Sequence, residues 1–268
     1  MKNLKTFLFL FIIGNLALAQ KEVDTSWKDY INPIFQGLNK SNIPHAILLD
    51  YAMEFIDVPS YNGTLTSNNY IDTKSFSNIY KTLYMGKVTS STTYFPTMHT
   101  VAYNWATARM NNNASQKNTL VIMGLLYNYS IIDPNALSQN KITVSNNKYY
   151  DKYTWNVWQN PYLSKRAIAF SLPLTTYNKR NINVIIPSNL MLSNMASQIQ
   201  KIEFNANDGQ GYRVINYNQS IAVNYTSNGT YTWVFKVTLN NNQILYSHTK
   251  LNINQEFTST SWANRYGN

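Results

Sequence analysis

The chain contains no cysteine. That absence removes disulfide frameworks, thiolate metal sites, iron–sulfur clusters and thiol nucleophiles together. Histidine is scarce: His45, His99 and His248 are the three, none at metal-ligand spacing from another, and no His-Glu-x-x-His run occurs. Charge is thin, with 13% Asp, Glu, Lys and Arg over 268 residues, about half the share of an average soluble domain. The polar surface must therefore come from Asn, Ser, Thr, Gln and the 21 tyrosines. Carboxylates are rarest, 12 against 22 Lys and Arg, for a net charge of +10. No glycine-rich phosphate loop opens a predicted helix, since Gly209-x-Gly211 reads as a strand connection. No Gly-x-Ser-x-Gly nucleophile elbow is present.

What is present starts with a targeting signal. Lys2 and Lys5 precede an unbroken apolar run, Phe7 to Ile13, and Ala17-Leu18-Ala19 supplies the small residues a signal peptidase reads before Gln20. A bilayer span needs about 20 apolar residues, and Asn15 interrupts this run. The expectation is a signal peptide over 1–19 and a secreted or cell-surface protein with no transmembrane segment after its removal. An exported chain this long buries a core without disulfides. Its 44% hydrophobic content is sufficient for one or two domains.

Removing Lys2 and Lys5 leaves twenty basic against twelve acidic groups, a net +8. No Lys/Arg run exceeds two residues (Lys165-Arg166, Lys179-Arg180). A polyanion site needs clustered charge, so the basic balance reads as dispersed lysines, and no nucleic acid is expected as partner.

Two regions follow. Residues 20–165 mix helical and extended signals. Trp27 to Leu38 has near-helical spacing broken by Pro33 and Gly37. Ala46 to Phe55 lacks alternation and predicts a short helix. Asp72 or Thr73 caps a predicted helix carrying Phe76, Ile79, Tyr80, Leu83 and Tyr84 on one face, with Gly86 at its end. A further helix is predicted from Thr97 to Met110, ended by Asn111-Asn112-Asn113. Thr119 to Tyr129 suits a buried strand or a helical turn.

Residues 166–256 read as strands: 167–172, 181–186, 199–205, 212–217, 221–225, 231–239 and 243–253, joined by turns such as Asn228-Gly229 and Asn240-Asn241. Alternation points Trp233, Phe235, Val237 and Leu239 inward, and groups Ile182, Val184 and Ile186 on one face and Leu245, Leu251 and Ile253 on another. It leaves His248, between Tyr246 and Lys250, on an exposed face. Seven short strands in under about a hundred residues match an immunoglobulin-like sandwich. The fold class expected is thus an α+β N-terminal region followed by an all-β immunoglobulin-like sandwich, with a tail over 257–268.

The sharpest chemical cluster is Asp50, Glu54 and Asp57. On a helix they fall at i, i+4 and i+7, on one face. Such a face suits a hard cation, a carboxylate pair for glycoside hydrolysis, or plain solvation with basic counter-charges. Asp208 in Asn207-Asp208-Gly209 reads first as a turn residue. The aromatics Tyr149, Tyr150, Tyr153, Trp155 and Trp158 suit either a platform for sugar rings or ordinary packing.

Two stretches carry a resemblance: Asn39-Lys40-Ser41-Asn42-Ile43-Pro44-His45 through Phe55 with Tyr61-Asn62-Gly63-Thr64-Leu65, and Ile202-Glu203-Phe204 with Asp208-Gly209-Gln210-Gly211-Tyr212 and the strands to Asn254. Together they resemble the N-terminal region and the immunoglobulin- or PKD-like module of large exported Bacteroidetes proteins, some of which continue into an α/β-hydrolase-like domain. The resemblance implies no catalytic residue here, because no position matches a catalytic motif. The reading is a non-catalytic exported surface, adhesion or glycan-binding accessory module without cofactor or metal. Asp50, Glu54, Asp57, Trp155 and Trp158 are its candidate binding residues, and an extracellular glycan or another surface protein its partner. The alternative is the accessory front of an exported esterase whose catalytic domain is missing from this chain.

Overall fold

A computed structural model describes residues 26–89 and 95–255. The signal segment 1–19 and the tail 257–268 lie outside the described residues. Strands dominate, in several sheets, with few helices.

Chain order begins with a short helix α1 (Ser26–Ile31), followed by 3₁₀ turns at Lys40–Asn42, Pro44–Ala46, Leu49–Tyr51 and Val58–Tyr61. Helix α2 (Thr73–Met85) starts where Asp72 accepts from the Ser75 amide at 2.7 Å while Ser75 Oγ accepts from the Asp72 amide at 2.8 Å, a reciprocal cap. Helix α3 (Met98–Ser115) is capped by Thr97, which accepts from the Thr100 amide at 3.1 Å. It runs past the asparagine cluster expected to end it. Asn112 and Asn113 instead turn their amides back on the carbonyls of Ala108 and Arg109, four residues earlier.

The strands are β1 (Thr119–Val121), β2 (Met123–Ile132), β3 (Ile142–Ser145), β4 (Lys148–Asp151), β5 (Tyr153–Thr154), β6 (Val157–Trp158), β7 (Tyr162–Ser171), β8 (Thr176–Tyr177), β9 (Asn181–Ile185), β10 (Met191–Ser193), β11 (Ile199–Asn205), β12 (Arg213–Val214), β13 (Ile221–Asn224), β14 (Gly229–Leu239) and β15 (Ile244–Ile253). They form a five-stranded sheet in the order β12-β11-β14-β15-β8, three-stranded sheets β10-β2-β7 and β1-β9-β13, and the hairpins β3-β4 and β5-β6. The β1–β9, β10–β2 and β15–β8 pairs are parallel and the rest antiparallel. Asn240 and Asn241 do occupy the β14–β15 turn, where Asn242 adopts φ 63.

Period-two alternation explains the layering. In the five-stranded sheet Trp233, Phe235, Val237 and Leu239 are buried, as are Leu245, Leu251 and Ile253. Facing them across one core stand Leu126 of β2, Ile168 and Phe170 of β7, and Ile182 and Val184 of β9. The intervening residues of those same strands, Leu125, Tyr127, Ala167, Ala169 and Ile185, face a second core built by Phe76, Ile79, Tyr80 and Leu83 of α2 and Val101 and Trp105 of α3. β2 is thus buried on both faces over its first eight positions, Asn128 and Ser130 included.

Three expectations differ from this arrangement. The division at 165/166 falls inside β7, all ten residues of which pair with β2. Nor does Ala46–Phe55 form a helix. Ile47 and Leu48 are both fully buried but face different cores, which demands extended backbone. Leu48 N donates to Gly86 O at 2.9 Å and Ser130 N to Ile47 O at 2.8 Å, so tertiary bonds replace helical ones. His248 is also buried rather than exposed. Its ring stacks on Tyr70 at 3.7 Å and its Nε2 lies 2.8 Å from Asn69 Oδ1, because the 62–71 segment covers that end of the sheet.

Candidate functional site

A third, smaller core gathers Ile31, Phe35, Leu38, Ile43, Leu48, Tyr51, Ala136, Ile142 and Tyr162, with Tyr149 and Trp158 packed on its border. From it the β3-β4 and β5-β6 hairpins project. Gly37 bridges to Tyr150, and Tyr149 N donates to Ile34 O at 2.8 Å. A Cβ on Gly37 would lie 2.3 Å from Tyr150 Cδ1, so only glycine lets the two segments approach this closely. The Phe35 and Tyr149 rings stack at 5.2 Å.

Asp151 fastens the second hairpin. One carboxylate oxygen accepts from Trp158 Nε1 at 2.9 Å and the other from Asn39 N at 2.6 Å. Gln159 N closes the base by donating to Lys152 O at 2.8 Å. Trp158 is therefore half-buried and anchored, 6.2 Å from the Tyr162 ring. Trp155 is its opposite: 93% exposed, at the hairpin tip.

The tip is unusual in its backbone. In the β3-β4 hairpin the two turn residues are Asn146 and Asn147, with φ 50 and 58. Asparagine tolerates that left-handed geometry, and such two-residue turns select it. The β5-β6 turn has the same form, but its first residue is Trp155 at φ 53, followed by Asn156 at φ 62. A bulky aromatic in the left-handed region is disfavoured by about 1–2 kcal/mol. No burial offsets that strain, since the ring is almost wholly in solvent. Strain of this kind concentrates at functional positions.

The acidic trio is not assembled. Asp50 ends in a 3₁₀ turn, where its Oδ2 accepts from Ile132 N at 2.9 Å and burial raises its pKa. Its field falls, with that of Asp151, on Tyr162. Glu54 and Asp57 are exposed and act on a different ring, Tyr129. Asp57 Oδ2 accepts from Ser60 Oγ. The one-face placement required a helix through 50–57, and the backbone there is extended and 3₁₀ instead. Among the described residues no three His, Asp or Glu gather as a metal site. Asp208 is a turn residue whose fully buried carboxylate pairs with Arg213 at 2.7 Å.

Two further places were not legible in the sequence. His45, itself at φ 62, lies with Nε2 3.2 Å from Ser164 Oγ. The pair lies at the surface, where partial desolvation of the ring and then Arg166 lower the imidazole pKa. It lacks what a nucleophilic pair requires, a carboxylate orienting the ring. Second, a 330 Å³ groove runs between α3 and the Ser188–Leu190 turn, lined by Asn104, Thr107, Asn111, Asn189 and Asn218. Its lining carries amides and a hydroxyl and no titratable group, so it suits neutral polar contacts and not proton transfer. Neither a family model nor a curated protein matches the chain.

Proposed function

We propose that this chain is a non-catalytic exported module that binds a neutral extracellular glycan through Trp155, with Trp158 and Asp151 positioning the hairpin that presents it. Export rests on the signal-like first nineteen residues and on a cysteine-free chain. The proposal extends to an immunoglobulin- or PKD-like sandwich, akin to modules of exported Bacteroidetes proteins, as the scaffold. It is supported by the five-stranded sheet packing on β9 and β13 around Trp233, Phe235 and Val223.

The observation that carries the reading is an indole held almost fully in water on a strained turn. Stacking on a ring face needs an open aromatic plane and neighbouring neutral hydrogen-bonding groups. Thr154 and Asn156 flank the ring, and both are exposed. A protein partner generally needs about 800 Å² of surface per side, more than one projecting ring offers.

The test is affinity electrophoresis and array binding of residues 20–268 on neutral polysaccharides, with Trp155→Ala beside the parent. Stacking of a base on an aromatic side chain is worth about 1–3 kcal/mol, and by analogy for a sugar ring Trp155→Ala loses about fivefold or more in affinity. Equal binding by the variant, or no neutral glycan retained by the parent, overturns the reading.

A further inference from the structure

Around Tyr51 the fold draws together cations that the sequence scatters. Lys28 Nζ sits 3.6 Å above the centre of the Tyr51 ring and donates to the carbonyls of Met85 and Lys87. Lys40 Nζ lies 4.8 Å from the same ring centre, donates to Asn32 Oδ1 at 3.0 Å and lies 3.3 Å from the Tyr51 hydroxyl. The Tyr51 hydroxyl itself donates to Asn32 Oδ1. Lys87 brings a third ammonium, 4.9 Å from the Tyr84 ring, close enough for its charge to act on Lys28.

Every salt bridge among the described residues lies elsewhere, at Lys201–Glu203, Lys236–Glu203 and Arg213–Asp208. All three lysines here are half-buried. Like charges drawn together in partial burial repel one another and lose hydration. The partners they do have are carbonyls, the Tyr51 hydroxyl and π faces, which stabilise an ammonium but neutralise none of its charge. A species that removes the repulsion must be anionic and rich in acceptors.

We propose that Lys28 and Lys40, which share the Tyr51 ring, form with Lys87 a binding site for a tetrahedral oxyanion, sulfate or phosphate, free or as a substituent on a sugar; none of the three is in a salt bridge among the described residues. This does not depend on the glycan reading of Trp155. Tetrahedral oxyanions offer several acceptors to converging ammonium groups, and such charge-assisted bonds are the strong ones. Binding also favours the protonated form of Lys28, whose pKa is otherwise lowered to about 7 by burial first and then by Lys40 and Lys87.

The experiment is titration calorimetry of the parent with sodium sulfate, with sodium phosphate and with glucose 6-sulfate against glucose, each at ionic strength matched with sodium chloride. Lys28→Met, Lys40→Met and, as a remote control, Lys179→Met are titrated alongside. Circular dichroism confirms that each is folded, and Lys40→Gln replaces any that is not. The expected result is saturable oxyanion binding above the chloride background, weakened about tenfold or more in the Lys28 and Lys40 variants and unchanged in the Lys179 variant. Glucose 6-sulfate binding no better than free sulfate identifies the free ion, and tighter binding identifies the sugar-borne group. Loss of Trp155 leaves this binding intact, which separates the site from the glycan platform. No response beyond chloride, or equal affinity in all the lysine variants, overturns the proposal.

Discussion

Replacing Lys28 by Met removes a charge from this crowded environment and keeps a stem of similar length against Tyr51. Burial, then Lys40 and Lys87, lower the Lys28 pKa from 10.5 to about 7. Below pH 7 the amine is protonated both in the folded and in the unfolded chain, so its desolvation opposes folding in full. Between pH 7 and 10.5 the folded chain releases that proton while the unfolded chain keeps it. The unfolded state then binds more protons, and stability rises with pH. At about 1.4 kcal/mol per pH unit the dry-site magnitude is about 5 kcal/mol. The side chain is half-exposed and screened by solvent, which reduces the expected effect to about 1–2 kcal/mol. Lys28→Met therefore gains about 1–2 kcal/mol over the parent at pH 6, less the bonds lost to Met85 and Lys87 carbonyls, and the advantage shrinks toward zero by about pH 10. Urea denaturation at several pH values between 6 and 10, in chloride buffers free of sulfate and phosphate, reads this directly. Titrating groups that do not interact with Lys28 cancel in the difference. A stability difference that is the same at every pH, or a variant less stable at pH 6 than at pH 10 relative to the parent, refutes the reasoning.

Other outcomes follow from the packed layers. Tyr225→Phe is expected to cost about 1–3 kcal/mol in urea denaturation, because the Tyr225 hydroxyl accepts from Trp233 Nε1 at 2.6 Å and donates to Ala206 O at 2.8 Å within the core. Gly124→Ala on β2 is expected to lose about 1–3 kcal/mol. Its Cβ would lie 2.5 Å from Met191 Sδ and 2.7 Å from Phe170 Cε1, and the Phe170 ring is held by stacking on Phe235 at 4.5 Å. Asp72→Ala is expected to lower stability by about 1 kcal/mol through the lost cap of α2, read as a fall in the thermal midpoint. An unchanged midpoint contradicts that role.

Legibility in the sequence tracked burial geometry. Strands with one face on a core and the other toward polar groups, such as β11 and β14, declare themselves by alternation, and β11 has the bounds 199–205 read from sequence. The capped start of α2 at Asp72 was equally open to inspection, since its chemistry is local. β9 at 181–185 also falls where alternation puts a strand over 181–186, but β2 does not declare itself. β2 is buried on both faces, so its apolar run carries no period. The 46–55 stretch forms no helix because two adjacent residues, Ile47 and Leu48, serve different cores, and the bonds that hold them come from Gly86 and Ser130, far off in sequence. At the candidate site, the aromatic density around Trp155 and Trp158 was visible. Their different exposure depends on Asp151 and on a turn whose Trp-Asn pair lacks the usual Asn-Gly signature. The lysine cluster was invisible for a simpler reason: its members meet only through the packing around Tyr51.

Under the proposed function, the indole at the hairpin tip is kept for binding at the expense of local stability. Trp155→Asn gives the β5-β6 turn the residue type that the β3-β4 turn already uses at the same position. One preparation, measured for urea stability and for retention on the neutral polysaccharide that the parent binds, separates the two roles. The expected result is a chain more stable by about 1 kcal/mol that has lost its glycan. A variant that is no more stable, or that still binds as the parent does, contradicts the central claim.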